Sequence, residues 1–290
     1  MSNEKIAMRV SINTIIWNVI LTVFKAFAGI LGHSTAMLAD AAHSLSDILS
    51  TVVVMVGVKL AGKKADHDHK YGHERFECVA AIILSVMLLA TGVFIGIAGI
   101  EQLTASNTEE SFSPGLFALI GAIISIAAKE GMYWYTRAAA KKINSGALMA
   151  DAWHHRSDAL SSVGSFVGIL GALLFGLNFL DSIAAIVICL FVAKVAFDIF
   201  RDAVGKMTDR ACDEETVQKM RDVILAQEKV LGIDLLKTRL FGDRIYAEVE
   251  ILVDGDSTLK DAHETAHVVH DAIEHEFVKI KHCTVHVNPS

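Results

Sequence analysis

Residues 39–47 read ADAAHSLSD and lie inside a long apolar run, residues 35–61. His43 and Asp47 are four residues apart, so a helix places both side chains on one face. Ionisable side chains deep inside a membrane-spanning segment are costly and usually mark an ion or proton path. This segment therefore predicts a polar site inside an apolar helix.

A second segment repeats the pattern about a hundred residues later. Residues 151–158 read DAWHHRSD, inside the apolar run 147–174, and place His154 and Asp158 at the same four-residue spacing. Two such helices facing each other would present two imidazoles and two carboxylates, which is a ligand set for tetrahedral zinc. Manganese and magnesium favour more oxygen ligands.

The depth of the two pairs follows from the rise of about 1.5 Å per residue in a helix. His43 and Asp47 lie roughly 12–18 Å from the outer end of their run, and the second pair roughly 11–17 Å from the inner end of its run. Antiparallel helices then place Asp47 level with His154, and His43 level with Asp158. A bound metal needs neutral imidazole and ionised carboxylate, so protons compete with it for the same groups. The alternative is two polar pairs that only hydrogen-bond between helices.

Two aspartates near these pairs have a different expected role. Asp40 and Asp151 lie near the ends of their runs, and we interpret each as a helix cap or an entrance charge rather than a ligand. His155 follows His154 directly and points about 100° away on a helix, so it is not expected to be a ligand.

The composition is that of a membrane protein. Of 290 residues, 53% are hydrophobic and 20% charged, and the mean hydropathy is +0.45. Each apolar run has about 20 residues or more, enough to span about 30 Å of hydrocarbon. We predict an all-α membrane domain of six transmembrane helices over residues 1–208, with the first run retained rather than cleaved. The runs are 9–31, 35–61, 78–103, 112–138, 147–174 and 178–202.

Charge and cysteine content exclude two classes of protein. The net charge of −7 leaves no large basic surface for nucleic acid. The four cysteines are scattered and form no C-x-x-C motif, so no disulfide framework is expected.

Basic residues predict the orientation in the membrane. They follow the second, fourth and sixth runs, whereas the opposite loops contain no lysine or arginine. Since cytoplasmic loops carry the excess of basic residues, both termini are expected in the cytoplasm of a protein of the plasma (inner) membrane. The basic residues are Lys63, Lys64, Lys70, Arg75, Arg137, Lys141, Lys142, Arg201, Lys206 and Arg210.

From residue 209 to residue 290 the composition becomes that of a small soluble α+β domain. Its periodicities predict the order α-β-β-α-β. About eighty residues allow one modest core, which we expect dimerisation to support. The predicted elements are a helix at 214–228, strands at 233–240 and 245–253, a helix at 257–277 and a strand at 281–287.

The cytoplasmic loop 62–77 is a candidate for a further metal site. Asp66, His69 and His73 follow an i, i+3, i+7 spacing and could converge on one ion. The alternative is a solvated polar loop.

The tail contains an H-E-x-x-H match at residues 263–267, the pattern of zinc proteases, with Glu264 as the base. We do not expect an enzyme, because the domain is too small for a substrate cleft and no third ligand follows at familiar spacing. His263 could still join His286 in a metal site, with Glu248 and Glu250 as carboxylate partners. The expected solvated surface histidines are His267, His270, His275 and His282.

With these motifs in view, the chain resembles the cation diffusion facilitator family, its zinc-exporting branch in particular. The resemblance covers nearly the whole length, and residues 39–47 and 151–158 carry it most specifically. It implies that these segments supply the transport site, His43, Asp47, His154 and Asp158. It further implies a homodimer that alternates between inward-open and outward-open states and exchanges Zn²⁺ for H⁺.

The resemblance also extends to the loop and to the junction between the domains. Asp66, His69 and His73 look like the loop metal site of some members. Arg75 stands where members often place a basic residue that pairs with an aspartate after the sixth span, here Asp209. That pair would hold the dimer together between membrane and tail.

The tail is similar to the family's metallochaperone-like domain, whose bound metal bridges the dimer. His263 and His286 match its ligands, whereas Ile233 occupies a position that is His in some members and Asn288 one that is Asp. One structural or regulatory metal, or weak occupancy of the site, is therefore expected in place of two. Members with Asp in place of His43 accept cadmium more readily, so His43 favours zinc.

Two other functions are compatible with the sequence. The chain could export Fe²⁺, Co²⁺, Ni²⁺ or Cd²⁺ by the same mechanism, since divalent affinities overlap. It could instead be a membrane metal sensor that transports nothing. Replacing Asp47 or Asp158 by alanine would abolish flux in a transporter and leave signalling intact in a sensor.

Overall fold

The computed structural model describes residues 3–31, 35–104, 116–175 and 179–290. The chain forms two compact units that divide between Ala203 and Val204. The predicted boundary, at residues 208 and 209, remains a prediction.

The described part of the first unit consists of long helices of 27 to 30 residues. They are uninterrupted because both prolines of the chain, Pro114 and Pro289, lie outside them. Their bounds are α1 Asn3–Leu31, α2 Thr35–Ala61, α3 Arg75–Thr104, α4 Leu116–Ile143, α5 Gly146–Phe175 and α6 Phe179–Met207.

The described part of each predicted apolar run lies on one of these helices. Within the described residues, two segments are long and apolar enough to cross a membrane, Asn3–Phe27 and Arg75–Glu101. The count of six membrane spans therefore stays a prediction. Large apolar side chains such as Phe94 and Leu190 are exposed on this unit, at 73% and 67%.

The helices of the first unit pack closely through small residues. α1 contacts α2 and α4, and α5 contacts α3 and α4. At the contact of α2 with α3, a Cβ atom added to Gly57 would lie 2.4 Å from the Cβ atom of Ala80. Glycine is therefore required there for the two backbones to approach.

The interior of this unit is partly polar. On α1, Ser11, Thr14, Asn18 and Lys25 are all buried, with exposed fractions of 0–2%. Their spacings of three, four and seven residues place them on one face of the helix. Since α1 packs on α2 and α4, this face adds polar groups to the interior.

The second unit has the predicted order α-β-β-α-β. Its sheet has the order β1-β2-β3, with β1 antiparallel and β3 parallel to β2. Asp213 and Thr258 cap the two helices by accepting backbone N–H groups. The elements are α7 Glu214–Leu225, β1 Gly232–Phe241, β2 Arg244–Val253, α8 Leu259–Glu276 and β3 Ile280–Pro289.

One face of this sheet is covered by the helices and the other is open. Ile251 and Cys283 pack with Ile224 of α7 and with Val269 and Ile273 of α8. Alternate residues of β2 and β3 point to the opposite face, so this second face carries the polar side chains of the strands.

Candidate metal centre

The structure brings Asp47, His154 and Asp158 together. One donor atom from each lies within 4.8 Å of the other two, and all three side chains are buried. Asp47 Oδ1 lies 3.4 Å from His154 Nε2. Tetrahedral bonds of about 2.0–2.1 Å separate neighbouring ligand atoms by about 3.3 Å, so this gap is the right width for a shared ion.

The fourth predicted ligand is His43. It belongs to α2, but its side chain lies outside the described residues, as does that of Asp40. Their predicted roles stay predictions.

The pairing of α2 with α5 follows the predicted antiparallel alignment. Asp47 faces His154, and one turn further along α2 the Thr51 hydroxyl donates to Asp151 Oδ1 at 3.2 Å. From Asp47 to Thr51 the residue number rises along α2, while the partner on α5 changes from His154 to Asp151, where the number falls. The two helices are therefore antiparallel, with Asp47 and His154 at the same level.

The structure corrects the expectation for Asp151. We expected a cap or an entrance charge, but the side chain is fully buried and accepts the Thr51 hydroxyl. Its second carboxylate oxygen lies 3.7 Å from Nε2 of His155, which is also fully buried. His155 thus faces Asp151 rather than joining the group around His154, as its place on the helix predicts.

Lys129 is the functional residue that our sequence analysis missed. It lies on α4, is buried, and its ammonium donates to Asp158 Oδ2 at 3.1 Å and also to Asp47 Oδ2. The signal was present, because a lysine in the middle of the apolar run 112–138 is costly unless it has a buried partner.

The charges of the centre make it a site for cations. Two carboxylates converge on one ammonium, and an imidazole lies beside them. A buried carboxylate needs a compensating positive charge, and Lys129 supplies one from the protein itself. A divalent ion that reaches Asp47 and Asp158 would take the place of this ammonium.

The predicted loop residues also lie together. Donor atoms of Asp66, His69 and His73 are within 4.8 Å of one another. Asp66 Oδ2 lies 3.3 Å from His73 Nε2, and Asp66 Oδ1 lies 3.5 Å from His69 Nδ1. His73 Nδ1 lies 3.2 Å from the carbonyl oxygen of Lys64, a contact that orients the ring with Nε2 toward Asp66.

Backbone hydrogen bonds hold the Asp66 carboxylate in place. The N–H groups of His69 and Asp68 donate to Oδ1 at 2.8 and 3.1 Å. The His69 N–H is the main cause that lowers the pKa of Asp66 below its usual value, with further contributions from the Asp68 N–H and the charges of His73 and His69. The carboxylate is therefore ionised and ready to bind a cation.

The tail residues do not form one group within the chain. Glu250 pairs with His286 across β2 and β3, and Glu248 follows the same alternation, so these three lie on the open face of the sheet. His263 is exposed on α8, which packs on the other face. Alternation places His286 on the face of the sheet that α8 does not cover, and the meeting of His263 with His286 stays a prediction.

A neighbouring part of the open face contains a polar contact of Asn288 with Asp234 and Glu250. Asn288 donates to Asp234 Oδ2 at 2.9 Å and to Glu250 Oε2 at 3.2 Å. The strand register shifts between Ile233 and Leu235. This bulge makes Asp234, rather than Ile233, the β1 residue that meets Asn288.

Two family models match the chain. Residues 11–207 match the cation efflux transmembrane domain, and residues 212–290 match the cytoplasmic domain of cation efflux proteins. The two matches cover nearly the whole sequence.

Similar proteins come from plants, archaea and bacteria. Metal tolerance protein C1 of Arabidopsis thaliana is 36% identical over 93% of this chain, which spans 60% of that protein's length. An uncharacterized transporter of Methanocaldococcus jannaschii is 35% identical over 95% of both chains. The manganese efflux system protein MneP of Bacillus subtilis is 30% identical over 99% of this chain and 97% of its own.

Proposed function

The chain belongs to the cation diffusion facilitator (cation efflux) family, and on this basis we propose that it exports Zn²⁺ from the cytoplasm in exchange for protons. The observation that carries the proposal is the buried convergence of Asp47, His154 and Asp158 on α2 and α5. Ionisable side chains lose their hydration when they are buried in a membrane-spanning segment, which is costly, so they usually mark an ion or proton path.

The donor set supports zinc as the preferred substrate. An imidazole nitrogen beside carboxylate oxygens suits zinc, which accepts both ligand types in a tetrahedron. His43, one turn before Asp47 on α2, supplies the fourth ligand in this proposal.

Lys129 has a specific part in the transport cycle that we propose. In the metal-free centre its ammonium joins α2 to α5 through Asp47 and Asp158. Arriving Zn²⁺ displaces the ammonium and takes over both carboxylates. When the metal leaves, the ammonium returns, so one of the two carboxylate charges stays compensated while the helices change between inward-open and outward-open states.

Coupling to protons follows from the same ligands. A proton on His154 or on a carboxylate removes a lone pair that the metal needs. A proton gradient across the membrane therefore favours metal binding on the side of higher pH and release on the side of lower pH. Two protons per Zn²⁺ would make the exchange electroneutral.

The remaining predicted features belong to the same proposal. The protein is a homodimer in the plasma membrane with six spans per chain and both termini in the cytoplasm, and the domain boundary lies at residues 208 and 209. Arg75 pairs with Asp209 in a salt bridge that holds the dimer together. The loop residues Asp66, His69 and His73 bind a regulatory zinc ion, as do Glu248, Glu250 and His286 on the open face of the tail, where His263 comes from the other chain.

Manganese is the second candidate substrate. A relative that is 30% identical over 99% of this chain is named as a manganese efflux protein, and the two carboxylates of the centre are oxygen ligands that manganese accepts. Export of Fe²⁺, Co²⁺, Ni²⁺ or Cd²⁺ would use the same centre. In a sensor without transport, Lys129 would have no need to leave the two carboxylates and return to them, which is the role that we propose for it in the transport cycle.

The test is metal flux in proteoliposomes with an imposed pH gradient. We expect Zn²⁺ uptake that rises with the gradient, exceeds Mn²⁺ uptake, and falls at least about a hundredfold in Asp158→Asn. Asp198→Asn is the matched control, because Asp198 is an exposed carboxylate on α6. Flux that ignores the gradient contradicts antiport, faster Mn²⁺ uptake contradicts zinc preference, and unchanged flux in Asp158→Asn contradicts the centre itself.

A further inference from the structure

Asn18 is a fully buried amide on α1 that the metal centre described above does not use. Its exposed fraction is 0%, and neither Nδ2 nor Oδ1 has a hydrogen-bond partner among the described residues. Thr14, one turn earlier, is equally buried, but its hydroxyl donates to carbonyl oxygens of its own helix. Burying an amide without any hydrogen bond is costly, which indicates that Asn18 has a partner in another state of the protein.

The position of Asn18 relative to α4 follows from how α1 packs on that helix. The first turns of α1 share an apolar cluster with the last turns of α4. Further along α1, Asn13 Nδ2 donates to the Tyr135 hydroxyl at 2.8 Å. The residue number thus rises along α1 while it falls along α4, so the two helices are antiparallel. The residues of the cluster are Ala7, Val10, Ala140 and Ile143.

This alignment places Asn18 at the level of Lys129. Asn18 follows Asn13 by five residues, a rise of about 7.5 Å along α1. Lys129 precedes Tyr135 by six residues, a rise of about 9 Å along α4 in the same direction. The two positions therefore differ by about 1.5 Å in level, the rise of one residue. Both side chains are buried, so the amide and the ammonium lie at one level in the interior of the first unit.

Metal binding creates a need for a new partner at this level. In the structure the Lys129 ammonium donates to Asp47 and Asp158. The proposed function, on which this inference rests, has the metal take over both carboxylates. A buried ammonium that has lost them needs another acceptor. Since α4 packs against α1 as well as α5, α1 is the side to which the ammonium can turn.

We propose that Asn18 is a positioning residue that accepts the Lys129 ammonium when a divalent metal ion occupies the centre. Oδ1 of Asn18 then accepts one ammonium N–H, so the amide gains its missing hydrogen bond and the displaced charge keeps a partner. Asn18 thus stabilises the metal-bound state through Lys129 and does not touch the metal.

The neutral amide is suited to this exchange. A carboxylate would hold the ammonium more strongly, because hydrogen bonds between two charged groups are stronger than those to a neutral acceptor. The ammonium therefore leaves Asn18 again when the metal departs and both carboxylates become available. An acidic side chain at position 18 would retain it and hinder that return.

The test is a double-mutant cycle on equilibrium Zn²⁺ binding to the full-length protein in detergent. Asn18→Leu removes the acceptor while filling its space, Asn18→Ala removes it without adding bulk, and each is combined with Lys129→Met. We expect each Asn18 variant to weaken Zn²⁺ binding at least about tenfold when Lys129 is present, the cost of a lost hydrogen bond to a charged group. In the Lys129→Met background the loss should be below about twofold, because no ammonium is then displaced.

Ser11→Ala serves as the control on the same face of α1. Ser11 is also buried, and its hydroxyl also lacks a hydrogen-bond partner among the described residues. It lies about 10 Å from Asn18 along the helix, away from the level of Lys129. Its zinc affinity should equal that of the wild type, and a loss as large as that of the Asn18 variants would overturn the proposal.

The remaining outcomes separate this inference from the proposed function. Equal weakening with and without Lys129 would overturn the proposal and assign Asn18 to the metal itself. Unchanged affinity in both Asn18 variants, with binding lost in Asp158→Asn, would overturn the role of Asn18 and leave the proposed function standing. Zinc binding that is unaffected by Asp158→Asn would overturn both.

Discussion

The ammonium of Lys129 on α4 lies 3.1 Å from a carboxylate oxygen of Asp158 on α5. The same ammonium also donates to Asp47 on α2, so one lysine connects three helices at the centre of the first unit. The metal that we propose for this centre carries twice the charge of the ammonium and binds the same oxygens. Lysine and metal are therefore alternatives for one position.

Removing the charge of Lys129 should strengthen metal binding and slow transport. In Lys129→Met the metal no longer displaces an ammonium, so we expect Zn²⁺ affinity to rise at least about tenfold, which is about 1.4 kcal/mol. Release slows accordingly, and turnover in proteoliposomes falls. Equilibrium binding and flux on the same preparation measure both effects.

Lys129→Arg is the control for this experiment because it keeps the positive charge. Its affinity should stay closer to that of the wild type than the affinity of Lys129→Met. Weaker binding in Lys129→Met would contradict competition and assign Lys129 a purely structural role.

The hydrogen bond from Thr51 to Asp151 should contribute to stability. Both side chains are fully buried, and the hydroxyl donates at 3.2 Å. Thr51→Val keeps the shape but removes the donor, so we expect a loss of about 1–3 kcal/mol, the cost of an unsatisfied buried acceptor. Thermal unfolding in detergent, with Thr51→Ser as the control that retains the hydroxyl, measures it. Equal stability of the valine and serine variants would show that the bond is unimportant.

The contact of Gly57 with Ala80 should not tolerate another methyl group. A Cβ atom at Gly57 would lie 2.4 Å from that of Ala80. We expect Gly57→Ala to destabilise the first unit by about 1–3 kcal/mol, the usual cost of overpacking. Gly131→Ala should be neutral or stabilising, since no atom lies within 4 Å of the added methyl group. Adding Ala80→Gly should restore stability, and its failure to do so would contradict the packing of α2 on α3.

Zinc binding in the loop should depend on Asp66 and not on its neighbour Asp68. Asp66 lies close to both His69 and His73, whereas Asp68 contacts the exposed His67. We expect Asp66→Asn to weaken the loop site at least about tenfold and Asp68→Asn to leave it unchanged. Zinc titration of both variants measures the affinity of the loop site. Equal losses of affinity would mean that the net charge of the loop, and not the position of Asp66, determines zinc binding.

The same carboxylate should give the loop a defined dependence on pH. Because the pKa of Asp66 is lowered in the folded protein, its stabilising contribution is complete above the unfolded value of about 3.9 and is lost as the pH falls through the lowered value. In the metal-free protein, carbon-detected NMR should show Asp66 titrating at lower pH than a free aspartate. Titration at or above the free value would contradict the hydrogen bonds from His69 and Asp68.

The meeting of α2 with α5 was predictable because it rests on spacing and depth alone. Four residues make one turn, so His154 and Asp158 share a face, and the rise per residue sets their level against Asp47. The helical repeat determines both the face on which a residue lies and its level along the helix, and tertiary packing changes neither.

Lys129 was harder to place because its partners lie on other helices. An apolar run indicates that α4 is a helix, but the rotation of α4 about its axis depends on how α1 and α5 pack against it. The cost of burying a lysine predicts that Lys129 has partners, and only the fold identifies them as Asp47 and Asp158.

The tail shows the same limit in a sheet. Alternation predicted the strands, and the same alternation puts Glu248 and Glu250 on one face, since it depends only on neighbouring residues. The bulge at Asp234 depends on strand register, and the choice of the face that α8 covers depends on tertiary packing. Neither is encoded in a local pattern.

Anomalous diffraction at the zinc absorption edge, from crystals of the full-length protein grown with Zn²⁺, tests the central claim most directly. We expect a peak about 2.0–2.2 Å from donor atoms of Asp47, His154 and Asp158, with the Lys129 ammonium displaced from both carboxylates. Lys129 still bridging Asp47 and Asp158 at saturating zinc, with peaks only elsewhere in the protein, would contradict the account.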